Sequence, residues 1–310
     1  MTGSDLLAGS TWVTDGGLET DLMFNHGIDL PEFASFPLVE NADGVAVLER
    51  YYAGYAAIAA AAGAGLLVET PTWRANPDWG RVLGYNADGL DRANRAAVDL
   101  ARRAATASGL ERSLVSGVVG PRGDGYLAGG EDPDEAAEYH AAQVRSFAAA
   151  GADLVHAMTI TGPAEGIGVV RAARDSGLPV AISFTVETDG LLPDGSTLAA
   201  TLGRLEAEAP ADCYGVNCAH PTHVLPALDD GGAWQQRLRF FRPNASTMSH
   251  AALDEMEVLD AGDLLLLSSS ASTLRGQVPT LDVIGGCCGT DSRHVAALWG
   301  VSLGSSTAGM

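Results

Sequence analysis

Asp153-Leu154-Val155-His156-Ala157, then Ala164–Asp175, then Val180-Ala181-Ile182-Ser183-Phe184-Thr185-Val186 decide the fold. Two short apolar runs flank one Ala- and Arg-rich stretch of helical length, and Gly177 just past that stretch stops a helix. A strand, a crossover helix and a second, parallel strand is what this order predicts. The unit recurs along the chain. Candidate strands are Trp12–Thr14, Leu66–Val68, Leu114–Val119, Asp153–Ala157, Val180–Val186, Tyr214–Asn217, Leu238–Phe241 and Val283–Ile284. Candidate helices are Val45–Ala62, Ala87–Ala107, Asp134–Ala150, Ala164–Asp175, Leu198–Glu208, Pro221–Leu228, His250–Leu259 and Ser292–Leu298. Eight such units in 310 residues predict an α/β fold of one domain, a closed (β/α)8 TIM barrel over residues 1–310 with a short flexible tail from about 303. A doubly wound open sheet is the alternative. No Gly-x-Gly-x-x-Gly follows the first strand, which counts against it.

The bulk chemistry narrows the function. Hydrophobic residues make up 46% and charged residues 18%, as in a globular core. A formal net charge of -21 disfavours nucleic acid and anionic membranes as partners, because both need a basic face. The first ten residues lack a signal-peptide pattern, and Tyr55–Val68 is Gly-broken and too short to span a bilayer. A cytoplasmic protein is expected, as a monomer or small homo-oligomer. Four cysteines in a chain this long do not read as a secreted disulfide framework.

In a barrel the chemistry sits at the C-terminal ends of the strands. Read in order, those ends are Asp15-Gly16-Gly17, Glu69-Thr70, Gly120-Pro121, Met158-Thr159, Glu187, Asn217-Cys218, Asn244 and Cys287-Cys288. Cys218, Cys287 and Cys288 fall where they can converge, and three thiolates with one open position make a catalytic zinc site. The bland alternative is a packed cluster of small hydrophobes. Cys213, at the opposite end of its strand, reads as core. His220 and His223 are also spaced for metal ligation. With three thiols already converging they are expected beside the ion, unless one of them closes a structural site as fourth ligand. Asp15 is either turn chemistry or a ligand-binding acid. Glu69 with Trp73 could receive a cationic donor, and Glu19 and Asp21 could add negative potential. Asn217 could orient a ligand.

These segments resemble the homocysteine S-methyltransferase family. The likeness rests on Thr14-Asp15-Gly16-Gly17-Leu18, Val68-Glu69-Thr70, Val119-Gly120-Pro121, Ile182-Ser183-Phe184, Leu192-Pro193-Asp194-Gly195-Ser196, Gly215-Val216-Asn217-Cys218 and Ile284-Gly285-Gly286-Cys287-Cys288-Gly289-Thr290, in family order. The resemblance implies a zinc-dependent enzyme on a (β/α)8 barrel with Cys218, Cys287 and Cys288 as ligands to Zn2+. It implies methyl transfer from a small onium donor, of the S-methylmethionine or S-adenosylmethionine type, to the sulfur of homocysteine or a related thiol, and hence a place in methionine metabolism. Asp15, with Gly16 and Gly17, matches the position that holds the acceptor's amino group. After the fourth strand the family carries a second acid for that amino group, where this chain has Met158 before Thr159. Either the acceptor differs or another acid, with Glu187 as the candidate, supplies the charge. A non-catalytic barrel with a structural metal is the remaining alternative.

Overall fold

Eight parallel strands pair in chain order and close on themselves, so the alternation read from the sequence does specify a (β/α)8 barrel. The computed structural model describes residues 6–7, 9–123, 125–129, 132–228 and 231–302. The tail expected from about 303 lies outside them. The strands are β1 (Trp12–Val13), β2 (Gly65–Glu69), β3 (Ser113–Val119), β4 (Leu154–Ile160), β5 (Val180–Phe184), β6 (Cys213–Asn217), β7 (Leu238–Arg242) and β8 (Val283–Ile284). The main helices are α1 (Ala42–Ala62), α2 (Ala87–Ala107), α3 (Pro133–Ala150), α4 (Pro163–Asp175), α5 (Leu198–Glu208), α6 (Pro221–Val224), α7 (Leu264–Gln277) and α8 (Ser292–Trp299). No helix among the described residues is long and apolar enough to cross a membrane.

One expectation fails. The helix preceding β8 is not His250–Leu259, of which only His250–Asp254 is helical, but α7. Leu267, Ser270, Ala271 and Leu274 are its buried face, spaced i, i+3, i+4 and i+7. Asp263 caps it by accepting from the backbone of Leu265 and Leu266. Other terminus signals hold: Asp132 caps α3 through Asp134 N, and Gly151 ends it at φ 79°.

The period-2 alternation of each strand builds the barrel interior in layers. The floor is apolar: Trp12, Leu67, Leu154, Ala181, Cys213, Phe240 and Val283 pack with Leu7. Cys213 is therefore core, as expected. Two residues further along several strands the interior turns polar. Glu69, His156, Ser183 and Arg242 stand above Leu67, Leu154, Ala181 and Phe240. His156 bridges Glu69 Oε1 at 2.6 Å and Ser183 Oγ at 2.7 Å. This ionic layer is the platform on which the strand ends rest.

Candidate active site and metal centre

Cys218 follows β6 directly and takes a left-handed φ of 57°, rare for a residue with a side chain. Hydrogen bonds hold it there. Its N–H donates to Arg242 O at 3.0 Å, and its carbonyl accepts from Asn244 Nδ2 at 3.0 Å and lies 2.5 Å from His250 Nε2. Across the mouth, Gly286 N donates to Asp15 O at 2.8 Å and Cys287 N to Pro243 O at 2.7 Å. Gly286 has no room for a side chain, since a Cβ would lie 2.0 Å from Thr290 Oγ1. That close turn lets two adjacent cysteines face one point.

The outcome is a thiol triangle. Cys287 Sγ lies 3.1 Å from Cys218 Sγ, and Cys218 Sγ lies 3.5 Å from Cys288 Sγ. Among the described residues this trio is the group of cysteines, histidines and acids placed to hold a metal ion. Zinc–sulfur bonds of about 2.3 Å in tetrahedral geometry set an edge of roughly 3.8 Å. The triangle needs only to open slightly, so the donor set fits zinc. Without a cation the three cannot share their charge evenly. Hydrogen bonds from Cys218 and Cys288, helped by Arg242, hold Cys287 well below the usual thiol range. Hydrogen bonding to Cys287 pushes Cys218 up, and hydrogen bonding to Cys218 and Cys287 does the same to Cys288. Tyr126 Oη stands 3.2 Å from Cys218 Sγ and its ring stacks on His250 at 4.2 Å.

The trio opens into a cavity of about 360 Å³. Asp15, Gly16, Gly17, Glu69, Thr70, Trp73, Met158 and Asn217 line it with the thiols, and so do Glu19, Tyr126, Arg242 and His250. Gly17 packs against the metal loop so closely that a Cβ would lie 2.4 Å from Cys287 O. Asn217 clamps the bulge in β4: its Oδ1 accepts from Thr159 N at 2.7 Å and its Nδ2 donates to Thr159 Oγ1 at 2.9 Å. Thr159 is thereby held at a φ of 62°, and the bulge sets where Met158 meets the cavity. Asn217 Nδ2 also lies 3.7 Å from Cys287 Sγ. Trp73 Nε1 donates to Met158 O at 3.3 Å. The cation found near its ring is Arg74, 5.3 Å from the centroid.

Arg242 is the residue that sequence reading missed. It reaches from the end of β7 beneath the cavity, with Nη1 donating to Asp15 Oδ1 at 2.7 Å, to Thr14 Oγ1 at 2.6 Å and to Glu69 Oε2. Its Nη2 donates to Gly16 O at 3.1 Å. Burial raises the Asp15 carboxyl against the pull of Arg242. Burial acts the same way on Glu69, but there Arg242 and His156 outweigh it and hold that carboxyl below its ordinary value. Glu69 is thus part of the platform rather than a free charge for a donor. Glu187 is absent from the cavity lining; it lies 2.7 Å from His250 Nδ1, behind the ring. His220 contacts Thr222 Oγ1 at 2.7 Å and His223 contacts Thr247 O at 3.0 Å. Neither joins the thiols in the metal-holding group, so the alternative in which a histidine closes the site as fourth ligand gains no support.

Comparison with known proteins identifies the family and the fold. The family model described as homocysteine S-methyltransferase matches residues 12–300. Methionine synthase of Mycobacterium tuberculosis is 32% identical over 130 residues, which are 41% of this chain and 10% of that protein. The homocysteine methyltransferase MmuM from Escherichia coli, in its metallated form, superposes with a TM-score of 0.74 at 23% identity, covering 96% of this chain and 98% of that one. Its oxidised form gives the same TM-score over 93% and 94% of the two chains. At that identity the superposition speaks for the fold, and the family match spans nearly the whole barrel, cysteines included. The chain belongs to the homocysteine S-methyltransferase family.

Proposed function

We propose that this protein is a zinc-dependent S-methyltransferase that moves a methyl group from a small onium donor to the sulfur of homocysteine or a related thiol. The observation that carries the reading is the thiol triangle at the mouth of the barrel, with Cys218, Cys287 and Cys288 turned toward one point beside the cavity. These three residues would hold the ion. Zinc bound there would supply the charge that keeps the acceptor's sulfur deprotonated at neutral pH, where a free thiol, with a pKa of about 8.5, is mostly protonated.

The chain's own residues do the remaining work. Asn217 and the Thr159 bulge fix one wall of the cavity, and Gly16 and Gly17 allow close approach on the other. Asp15 stands at the floor, oriented by Arg242 and by Tyr51 Oη at 3.2 Å. Met23, Phe33, Trp73, Met158 and Leu253 give the cavity apolar walls, which would limit water along the line of transfer once both substrates are bound. In that line a sulfur lone pair forms the new S–CH3 bond while the donor's C–S+ bond breaks, and the donor leaves as a neutral thioether. Alignment of the two sulfurs with the methyl carbon is the main contribution required of the protein. A cytoplasmic, reducing setting would keep the thiols from pairing with one another.

The reading is tested by a screen of thiol acceptors against S-methylmethionine and S-adenosylmethionine, with zinc measured on the same protein. Methylated thiol should appear with at least one donor and disappear when a chelator removes the metal. Full activity in metal-free protein would sink the mechanism.

A further inference from the structure

Asp15, Glu19 and Glu69 are the carboxylates that line the cavity on its β1–β2 side. Two of them are engaged inside the protein. Asp15 accepts from Arg242 at 2.7 Å and Thr14 at 3.1 Å through Oδ1, and from Tyr51 at 3.2 Å through Oδ2. Glu69 binds His156 through Oε1 and Arg242 through Oε2. Between them, Arg242 places a full positive charge where an incoming cation would otherwise find two acids.

Glu19 differs. It follows Gly17 in the short helix Leu18–Thr20 and is half-buried. Its Oε1 accepts from Ser35 Oγ at 2.6 Å, and the same hydroxyl lies 3.2 Å from Pro71 O. The loops after β1 and β2 thus hold the carboxylate in place. No other side chain among the described residues donates to it, so acceptor capacity is left over. It is near enough to Asp15 and Cys287 that both raise its carboxyl, added to the larger effect of burial, with Ser35 opposing. The wall formed by β4 and the loop after β5 offers no acid: Met158 stands near the end of β4, and Glu187 is turned to His250. Asp254 and Asp260 also line the cavity, but Asp254 is exposed to solvent, where a charge is screened, and Asp260 accepts from Ser246 Oγ at 2.5 Å and from Gly262 N at 2.9 Å.

Resting on the methyl-transfer reading above, we propose that Glu19 receives the ammonium group of the acceptor, so that the acceptor is an amino thiol. The charge that an acid at position 158 would supply comes instead from the loop after β1. Homocysteine meets this requirement, and so does any thiol with an amine at similar reach from its sulfur. Glu19 is a specificity-determining residue in this account. Asp15, held by Arg242, gives secondary support.

Glu19→Gln tests the assignment, because the amide keeps its shape and still accepts from Ser35. Zinc-loaded wild type and variant are titrated by calorimetry with homocysteine and with 4-mercaptobutyrate, which has the same chain and no amine. Homocysteine should bind the variant about 10- to 100-fold more weakly, the value of a charge-assisted hydrogen bond, while 4-mercaptobutyrate changes by less than about threefold. Equal losses for both thiols, an unchanged homocysteine affinity, or no binding of either thiol to the wild type overturns the proposal. So does a variant in which KM rises for the onium donor alone, which would assign Glu19 to the donor. Thiol binding is read without turnover. Amine discrimination that persists in a protein unable to transfer methyl groups would refute the methyl-transfer reading and leave Glu19 as an ammonium receptor.

Discussion

Replacing Cys287 with alanine should strip the protein of zinc and lower methyl transfer by at least about a thousandfold, roughly 4 kcal/mol of transition-state stabilisation. On the proposed zinc reading each thiol is required. Three cysteinates leave a divalent ion with one open position and a net charge near -1, which favours an electron-rich fourth sulfur. Two cysteinates leave a neutral site with a second open position for water. Cys218→Ala should behave like Cys287→Ala, because Cys218 sits between the other two sulfurs, at 3.1 Å and 3.5 Å. Cys213→Ala is the control. That thiol packs in the apolar floor of the barrel, where burial pushes it up to about 12, and its loss should leave the zinc content unchanged. Zinc by atomic absorption and turnover on the same samples settle the matter. Wild-type turnover in a zinc-free Cys287→Ala protein would refute the metal's role.

Arg242→Met should be the most destabilising single change in the site, by about 3–5 kcal/mol in urea unfolding of the metal-free protein. The variant keeps the volume and removes the charge between two buried carboxylates, Asp15 and Glu69, neither more than 5% exposed. The loss comes from leaving those anions without their partner, not from the strength of the pair itself. Adding Glu69→Gln to Arg242→Met should therefore recover part of the stability, since one fewer charge remains buried. Arg242→Lys should fall between wild type and Arg242→Met, because an ammonium keeps the charge and loses the fork that spans Asp15, Glu69 and Gly16. An Arg242→Met protein as stable as the wild type would show that the two acids are protonated in the fold and that the ionic layer has been misassigned.

Which parts of this were legible follows from how each signal is encoded. The barrel is written locally, in apolar runs and helical stretches of the right lengths, and all eight strands were placed to within a few residues. The helix before β8 was misplaced because its surface hides the pattern. Leu264, Leu265 and Leu266 are exposed at its start and Ser268, Ser269 and Ser270 follow, so the apolar face beginning at Leu267 is hard to separate from its flanks. The cap at Asp263 was the available signal. The thiols could be found because Cys287 and Cys288 are adjacent and Cys218 ends a strand.

Charge placement was not legible in the same way. Arg242 reads as the last residue of a Phe-Phe-Arg-Pro run, and its partners Asp15 and Glu69 lie 227 and 173 positions away. Only closure of the barrel brings β7 across β8 and β1 to β2. For the same reason Glu187 was the candidate to replace the acid missing at Met158. Strand order put it at the mouth, but the backbone after β5 turns it to His250, while Glu19, from a loop that counted only as added potential, faces the cavity. The left-handed Cys218 carries no sequence mark either, since glycine and asparagine are the residues that usually announce that conformation.

Zinc X-ray absorption on the wild-type protein, before and after adding the acceptor thiol, tests the central claim most directly. The account predicts three sulfur ligands and one light, exchangeable ligand in the free protein, and a fourth sulfur once the thiol is present. Four protein ligands that do not change on adding thiol, or a metal bound away from Cys218, Cys287 and Cys288, would contradict it.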